Sequence, residues 1–448
     1  MVQPGRQWKS GMFIIRAHEG DWHAGARRYA EFAKGKIGVT PAPEWLRTAP
    51  GFHLTSCIGQ DRRINNDYDH IYDTFAADKA AGLDLPVLVF GWVKRGFDNG
   101  YPELEPDERI GGAGKLRAVI ARVKAEGGRV MLYTQGRLID MCTDYYRDTG
   151  SRCCVRSEDG TPYIDEYSFN SEATLYPNRQ FALSCPSTKL WEDQLKKQID
   201  IVMDLGADGL LYDQIGADNA FICFDQTHEH ASADMAFHGK IQMLENLQQY
   251  AREKDPDFAI IGELICDAFL QKLDITHGWE TQDGPDTPPY MHARSEIYRY
   301  VFPDHRPSCR MAGSVNGYSN AFVNGMVLEQ AHRRPGAEAV ADHCDQLQKL
   351  RANLMPFFNA SRFVDEDGLT CQPESVLAKR YIGENGSNGV ALANTRAAAI
   401  TARLTIDAPA RSARLYWQDG TETTVTAVAG AFSLAIPAQT AAFLMLEA

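Results

Sequence analysis

Two carboxylates that end apolar runs are the residues of this sequence best placed to do chemistry. Asp213 follows the short apolar run Leu210–Tyr212, which comes after a long amphipathic segment and the breaker Gly206–Gly209. Glu263 lies near the end of a second run, Phe258–Leu264. Short buried runs between helices are typical of parallel strands, and α/β folds place their chemistry at the carboxyl ends of such strands. The sequence therefore predicts that both acids lie at one edge of a parallel sheet.

Such a pair suits glycoside cleavage. Neighbouring strands lie about 4.8 Å apart, so two carboxylates at equal height are expected about 5 to 6 Å apart. This is the spacing of a retaining glycosidase, in which one carboxylate attacks the anomeric carbon. The other stays protonated beside its charged neighbour and donates to the leaving oxygen. The alternative is a pair of structural acids that hold loops, but Val or Ile would be the usual residues within a buried strand.

Further residues near the ends of predicted strands are candidates for binding substrate. These are His53, Trp92, Asp98, Tyr101, Gln135, Arg137, Trp279 and Glu280. Trp92 offers an apolar face for a sugar ring, and Asp98 can accept hydrogen bonds from two vicinal hydroxyls. Trp92 as a barrel cap and His53 as a core histidine are the alternatives. Glu280 or Asp283, after the predicted sixth strand, is an alternative position for the catalytic acid.

Metal and phosphate motifs are weak by comparison. His228-Glu229-His230 suggests a metal site, but it falls in a predicted loop, which favours a solvated segment. The segment Gly111–Lys115 lacks the Ser or Thr that follows the lysine of a phosphate loop. The ten cysteines include no C-x-x-C pair, and we expect reduced thiols rather than a disulfide framework. We therefore expect no metal and no other cofactor.

The order of predicted elements favours a (β/α)₈ TIM barrel followed by a small antiparallel β-sandwich. Strands are predicted at 52–58, 85–91, 129–133, 209–213, 258–264, 274–280, 321–328 and 361–364, with helices between most of them. A doubly wound open sheet is the rival, but no glycine-rich phosphate turn follows the first strand. After residue 368 the chain shows six short strands separated by polar turns.

Three regions are expected from this order. They are an N-terminal linker of one strand (12–16) and one helix over residues 1–49, the barrel over 50–368, and the sandwich over 369–448. One strand and one helix cannot bury a core alone. The linker is therefore expected to pack on the barrel or to complete a domain that is missing.

Composition excludes several classes of protein. The net charge is 46 − 59 = −13, which argues against a nucleic-acid binder. No run of eighteen apolar residues predicts a transmembrane helix, so we expect no membrane partner. No signal peptide is visible, which slightly favours the cytoplasm, although the start resembles the middle of a protein. The expected partner is an oligosaccharide or glycoside, and the oligomeric state stays open.

The fourth-strand Asp213 and the fifth-strand Gly262-Glu263 resemble the α-amylase superfamily. This resemblance implies that Asp213 is the nucleophile and Glu263 the general acid/base. A closer resemblance is to bacterial glycoside hydrolases related to endo-α-N-acetylgalactosaminidases, in which a β-supersandwich precedes the barrel. The motifs that carry it are Gly91-Trp92, Asp98, Tyr101-Pro102, Ser184-Cys-Pro186 and Leu211-Tyr-Asp213, with Asp21-Trp22, Tyr29 and Trp45-Leu46 resembling the linker.

The chain also departs from the amylase pattern. Leu211 stands where amylases carry an arginine two residues before the nucleophile, and no Asn-His-Asp ends the seventh strand. Both departures argue against α-glucan specificity. Two other functions remain open: a non-catalytic carbohydrate-binding protein on a degenerate barrel, and a metal-dependent barrel hydrolase or lyase that uses His228 and His230.

Overall fold

The structure is a computed structural model that describes residues 7, 9, 13–36, 40–167, 179–216, 221–269, 272–278, 289–309 and 312–447, with the backbone alone at 289–294. In chain order the helices are α1 (Trp22–Lys36), α2 (Glu44–Thr48), α3 (Asp69–Ala80), α4 (Gly112–Ala125), α5 (Asp144–Asp148), α6 (Lys189–Asp204), α7 (His238–Lys254), α8 (Pro289–Val301), α9 (Val315–Val323) and α10 (Glu338–Asn359). The strands are β1 (Gly51–Ser56), β2 (Val87–Phe90), β3 (Val130–Gln135), β4 (Leu138–Asp140), β5 (Ile164–Tyr167), β6 (Arg179–Leu183), β7 (Gly209–Asp213), β8 (Ala259–Glu263), β9 (Ile275–Gly278), β10 (Pro307–Cys309), β11 (Val327–Glu329), β12 (Ser361–Asp365), β13 (Leu369–Gln372), β14 (Val376–Gly383), β15 (Asn388–Asn394), β16 (Ile400–Ile406), β17 (Ser412–Trp417), β18 (Glu422–Thr426), β19 (Ala431–Ile436) and β20 (Thr440–Glu447).

Eight parallel strands close into a barrel in the order β1-β11-β10-β9-β8-β7-β3-β2. Strands β2, β3, β7 and β8 are buried along their whole length, as expected for parallel strands covered by helices. Helix α6 buries one stripe at helical spacing, formed by Trp191, Leu195, Ile199 and Val202. The predicted TIM barrel is therefore confirmed. Its eight strands point their carboxyl ends at one mouth.

The last two barrel strands differ from the prediction. The segment predicted as the seventh strand contains the end of helix α9 and most of β11, and β11 is the eighth strand. The seventh strand is β10, and the predicted eighth strand, β12, pairs antiparallel with β14 outside the barrel. The prediction was wrong because α9 is buried on most sides, and a buried helix has the same apolar composition as a strand. β10 and β11 have three residues each, which is too short for a periodic signal.

Two antiparallel sheets follow the barrel, β12-β14-β15-β20-β17-β18 and β13-β16-β19. Their inner faces share a separate apolar core, so the predicted β-sandwich is confirmed. At the N-terminus, residues 13–16 form no strand, contrary to the prediction, while α1 forms as predicted. The Asp21 carboxylate accepts a hydrogen bond of 3.0 Å from the backbone of His23 at the start of α1. No helix among the described residues is long and apolar enough to cross a bilayer.

A small antiparallel sheet, β4-β6-β5, interrupts the barrel between β3 and α6. It lies on the mouth side because it follows the carboxyl end of β3. Its packing core joins residues of this insertion to the loop after β7, namely Leu138, Val155, Phe181, Leu183, Cys185, Cys223 and Ala236. The two loops beside Asp213 therefore share one core.

Candidate active site

Asp213 and Glu263 lie side by side at the barrel mouth. They are the last residues of the adjacent strands β7 and β8, whose register pairs Tyr212 with Gly262. Both side chains are buried, with 8% and 6% of each residue exposed. The two carboxyl groups are close enough for each to affect the charge of the other, as acids at neighbouring strand ends are expected to do.

The surroundings of Asp213 favour its neutral form. Burial raises the pKa of the Asp213 carboxyl well above its usual range, and the charges of Glu263 and Asp98 raise it further. Gln135 opposes this shift, because its Nε2 donates a hydrogen bond of 2.7 Å to Asp213 Oδ2. Asp213 is therefore biased towards its neutral form where it lies beside Glu263.

A third carboxylate, Asp98, is held rigidly in the loop after β2. Its Oδ1 accepts a hydrogen bond of 2.6 Å from the Tyr133 hydroxyl, and its Oδ2 accepts one of 2.8 Å from Gln60 Nε2. Asp98 is 6% exposed, so these bonds compensate for the loss of water around its charge. Tyr133 stands on β3, the strand next to β2, so its hydrogen bond ties the loop after β2 to the neighbouring strand.

The backbone is strained at the residues that follow each carboxylate of the pair. Gln214 has a φ of 54° and Leu264 a φ of 70°, while Asp98 itself has a φ of 51°. Non-glycine residues in the left-handed region are uncommon and cluster at functional sites. The turns that leave β7 and β8 are thus bent sharply where they release Asp213 and Glu263 into the mouth.

Aromatic side chains form the wall behind these groups. The Tyr133 ring stacks on Phe90 at 4.2 Å between centroids and meets Phe97 and Tyr101 edge-on. The buried Tyr101 hydroxyl has no hydrogen-bond partner among the described residues. Burial raises the pKa of Tyr101 well above its usual range, and the charges of Asp98 and Asp213 add to this. The Tyr101 hydroxyl is therefore a hydrogen-bond donor without a partner among the described residues, and it lies near enough to Asp98 and Asp213 to be affected by their charges.

The structure brings Asp98, Tyr101 and Gln135 to the carboxylate pair but places Trp92 and His53 elsewhere. Trp92 is fully buried, and its Nε1 donates a hydrogen bond of 2.8 Å to the Tyr133 carbonyl, so no face is open to a sugar.

His53 lies three residues before the end of β1. Its Nδ1 is 2.8 Å from Asp78 on α3, so the ring faces the helix layer and not the mouth. Arg137 contacts Gln214 at 3.4 Å. Trp279, Glu280 and Asp283 lie outside the described residues.

Sequence reasoning missed several residues near the mouth. Glu329 ends β11 and is 1% exposed, and its Oε2 lies 3.9 Å from Nε2 of His277 on β9. Glu329 follows the apolar run of β11, which is the same signal that singled out Asp213. It was missed because the predicted seventh strand was placed at 321–328 and stopped before Glu329. Tyr133 and Gln60 carry no such signal, because their role depends on Asp98 in a separate loop.

In the loop after β7, His228 is more buried than the sequence predicted. This residue was expected in a solvated segment but is 7% exposed. Its Nδ1 lies 3.3 Å from Cys223 Sγ, and its Nε2 lies 3.0 Å from the Arg152 carbonyl oxygen. His228 and His230 group with cysteines and not with the carboxylate pair.

One curated protein is similar to this chain in sequence. A protein of Bacteroides thetaiotaomicron named "Putative glycoside hydrolase" is 34% identical over 204 residues, which are 44% of this chain and 26% of that protein. The chain thus spans about a quarter of the length of this curated relative.

Solved structures show the same fold. An α-N-acetylgalactosaminidase from Bifidobacterium bifidum superposes with a TM-score of 0.63 at 16% identity, over 84% of this chain and 62% of that one. An α-amylase from Geobacillus thermoleovorans gives a TM-score of 0.59 at 12% identity, over 90% of this chain and 99% of that one. The resemblance predicted from the sequence is confirmed by these similarities.

The family comparison matches residues 8–298 to the family described as "Domain of unknown function (DUF6259)". The matched segment is more than half of the 448 residues. The chain therefore belongs to the DUF6259 family.

Proposed function

We propose that this chain is a retaining glycoside hydrolase in which Asp213 is the nucleophile and Glu263 the general acid/base. The observation that carries the proposal is the placement of two buried carboxyl groups side by side at the ends of adjacent barrel strands. An inverting enzyme needs room for a water between its two acids, with a separation of about 6.5 to 9.5 Å. Carboxylates at equal height on adjacent strands are expected about 5 to 6 Å apart, which leaves no such room and supports the retaining route.

In the first step, the Asp213 carboxylate attacks the anomeric carbon while the bond to the leaving oxygen breaks. Glu263 donates its proton to that oxygen, and a covalent glycosyl-enzyme forms. In the second step, Glu263 takes a proton from water, the water oxygen attacks the anomeric carbon, and Asp213 leaves as a carboxylate. The product keeps the configuration of the substrate. Asp98 and Tyr101, which lie near the pair, are proposed to bind sugar hydroxyls.

Related proteins guide the choice of substrates. The solved neighbours are named as an α-N-acetylgalactosaminidase and α-amylases, and one amylase was solved with acarbose. A screen of aryl glycosides should therefore begin with α-N-acetylgalactosaminides and α-glucosides, and β-anomers serve as the comparison. Sugar binding by the wild-type protein without turnover of any substrate would instead favour a non-catalytic carbohydrate-binding barrel.

Substitution of the pair tests the assigned roles. Asp213→Asn and Glu263→Gln preserve shape and are expected to lower kcat on the best aryl glycoside by about 10²- to 10⁴-fold. Asp208→Asn is the matched control. Asp208 is also buried and lies just before β7, but at the opposite end of the barrel, where it accepts a hydrogen bond of 3.0 Å from the Val130 backbone. The kcat of the Asp208→Asn variant is expected to stay near the wild-type value.

Azide separates Glu263 from the alternative acids after the sixth strand. A Glu263→Ala variant should recover activity in azide, because azide attacks the glycosyl-enzyme without help from a base. The product is expected to be a glycosyl azide of retained configuration, identified by NMR. Unchanged turnover by Asp213→Asn, or a product of inverted configuration from the wild-type protein, would overturn the mechanism.

A further inference from the structure

Four potential metal ligands from two loops converge beside the barrel mouth. Cys185 lies in the segment between β6 and α6, while Cys223, His228 and His230 lie in the loop after β7. One ligand atom from each residue lies within 4.8 Å of each of the others. Both cysteines are buried free thiols. The cluster stands apart from the carboxylate pair and does not depend on the proposed glycosidase activity.

The hydrogen bonds around the cluster orient its side chains inwards. The sulfur atoms of Cys185 and Cys223 lie within 4.8 Å of each other, and Cys223 Sγ lies 3.3 Å from His228 Nδ1. The other ring nitrogen of His228, Nε2, lies 3.0 Å from the Arg152 carbonyl oxygen. This is the arrangement of a metal-bound histidine, whose second nitrogen donates to a backbone carbonyl and so leaves the first nitrogen free to bind.

His230 supplies an independent observation. Its Nε2 is buried and has no hydrogen-bond partner within the part of the chain that the structure describes. A buried imidazole nitrogen without a partner loses its hydration and gains nothing in return. The His228 and His230 rings stand at 88° to each other with centroids 5.8 Å apart, so the two imidazoles approach the cluster from different directions.

Two thiolates and two imidazoles are a typical ligand set for zinc. Zinc binds sulfur at about 2.3 Å and nitrogen at about 2.0 Å in tetrahedral geometry, which places ligand atoms about 3.3 to 3.8 Å apart. The cluster needs only a small contraction from its present spacing to reach these distances. Two thiolate charges neutralise the ion, which suits a largely buried position. Four protein ligands leave no open position for substrate, as in structural zinc sites.

We propose that Cys185, Cys223, His228 and His230 bind one structural zinc ion that fastens the loop after β7 to the insertion after β3. The fastened loop carries Phe221, whose ring lies under the Arg137 guanidinium at 5.2 Å. Arg137 in turn contacts Gln214, the residue after the proposed nucleophile. The zinc ion thus sets the position of two loops that border the mouth.

The loops also enclose a pocket beside the proposed active site. Residues adjoining the cluster line it, including Ser184, Pro186 and Phe221, together with Arg137 and Lys240. Zinc binding therefore holds the walls of this pocket as well as the loops.

Metal analysis of tag-free protein purified in a reducing buffer tests the proposal. We expect one zinc ion per chain by inductively coupled plasma mass spectrometry, retained through gel filtration. Cobalt(II) added to the metal-free protein should give the sulfur charge-transfer and visible d–d bands of a tetrahedral thiolate site. His230→Ala should weaken zinc binding at least about tenfold. It is expected to fold, because His230 is only partly buried as a residue and its Nε2 makes no hydrogen bond in the described part of the chain.

Cys185→Ser and Cys223→Ser should also weaken zinc binding. Cys142→Ser is the matched control, because Cys142 is exposed and lies outside the cluster. Chelation should lower the Tm of the wild-type and Cys142→Ser proteins by more than it lowers the Tm of His230→Ala. Reduced protein that binds neither zinc nor cobalt, or a Cys185–Cys223 disulfide that persists in the reducing buffer, would overturn the proposal.

Discussion

At the scale of single residues, the position of one proton decides whether the carboxylate pair can work. In the proposed mechanism, attack on the anomeric carbon needs an ionised Asp213, and departure of the leaving group needs a proton on Glu263. Burial favours the neutral form of Asp213 and so draws the proton towards the wrong partner. The hydrogen bond from Gln135 Nε2 stabilises the Asp213 carboxylate and counteracts this. Gln135 is therefore a positioning residue for the proton.

Replacing Gln135 by Met is expected to shift the pH dependence of the reaction. Loss of the donor destabilises the Asp213 carboxylate, raises the pKa of Asp213, and so moves the ascending limb of kcat/KM against pH to higher pH by about one unit. Activity at a pH on that limb should fall, while activity well above it should largely recover. The control is Gln194→Met on α6, which should leave the profile unchanged. A uniform loss at every pH would contradict this role for Gln135.

At the scale of elements, the sequence predicts best where a strand is long enough to show its pattern. β7 and β8 have five residues each and end in an acid, so both strands and the acids at their ends, Asp213 and Glu263, could be predicted. β10 and β11 have three residues each, and the buried helix α9 before β11 has the composition of a strand, so Glu329 was missed. Short strands are specified by the closure of the barrel rather than by local pattern.

Contacts between segments that are far apart in the chain could not be predicted from the sequence either. The orientation of Trp92 into the core depends on a hydrogen bond to the carbonyl of Tyr133, which is 41 residues away. The grouping of Cys185 with Cys223, His228 and His230 depends on how the insertion folds over the mouth. Spacing along the chain does not predict such contacts, because the partners are far apart in the sequence and meet only in the folded protein.

The turn after β7 gives an element-scale prediction at Gly216. A Cβ at this position would lie 2.4 Å from the carbonyl oxygens of both Glu263 and Leu264, and both are backbone atoms that cannot rotate away. Gly216→Ala must therefore displace the end of β8, and kcat is expected to fall by about 10- to 100-fold. The control is Gly114→Ala on α4, where a Cβ meets no heavy atom within 4 Å.

Gly114→Ala should keep wild-type kcat and gain up to about 1 kcal/mol of stability, because alanine is the better helix former. Steady-state kinetics and thermal melting of both variants measure the difference. Wild-type kcat in Gly216→Ala would show that the end of β8 can move without harm to the site.

At the scale of the whole molecule, one buried lysine joins the barrel to the sandwich. Lys379 on β14 has a side chain only 4% exposed, and its Nζ lies 2.7 Å from Asp365 and 2.9 Å from both Glu296 and Glu366. Burial works against its charge, but the surrounding carboxylates outweigh this and raise the pKa of Lys379. Asp365 is also bound by His23 of α1 at 2.8 Å, so helix α1, barrel helix α8 and the sandwich meet at one charged cluster.

Replacing Lys379 by Met should weaken this junction. The substitution leaves buried Asp365 without its main cation, and breaking a buried pair from one side costs about 3 to 5 kcal/mol. Because His23 remains beside Asp365, a loss near about 3 kcal/mol in the free energy of unfolding is expected. Lys349→Met on α10 is the control, since Lys349 is exposed and its replacement should change stability by less than about 0.5 kcal/mol. Urea denaturation followed by tryptophan fluorescence measures both variants.

A second substitution shows whether the loss comes from the stranded charge. Asp365→Asn removes the carboxylate, so in the Lys379→Met background it should cost less than it does in the wild-type protein, and a double-mutant cycle gives the difference as the coupling energy. A coupling energy near zero would mean that Lys379 contributes by packing alone. A substantial one would show that the Lys379–Asp365 pair stabilises the protein through its charges, at a cluster that α8 joins through Glu296 and α1 joins through His23.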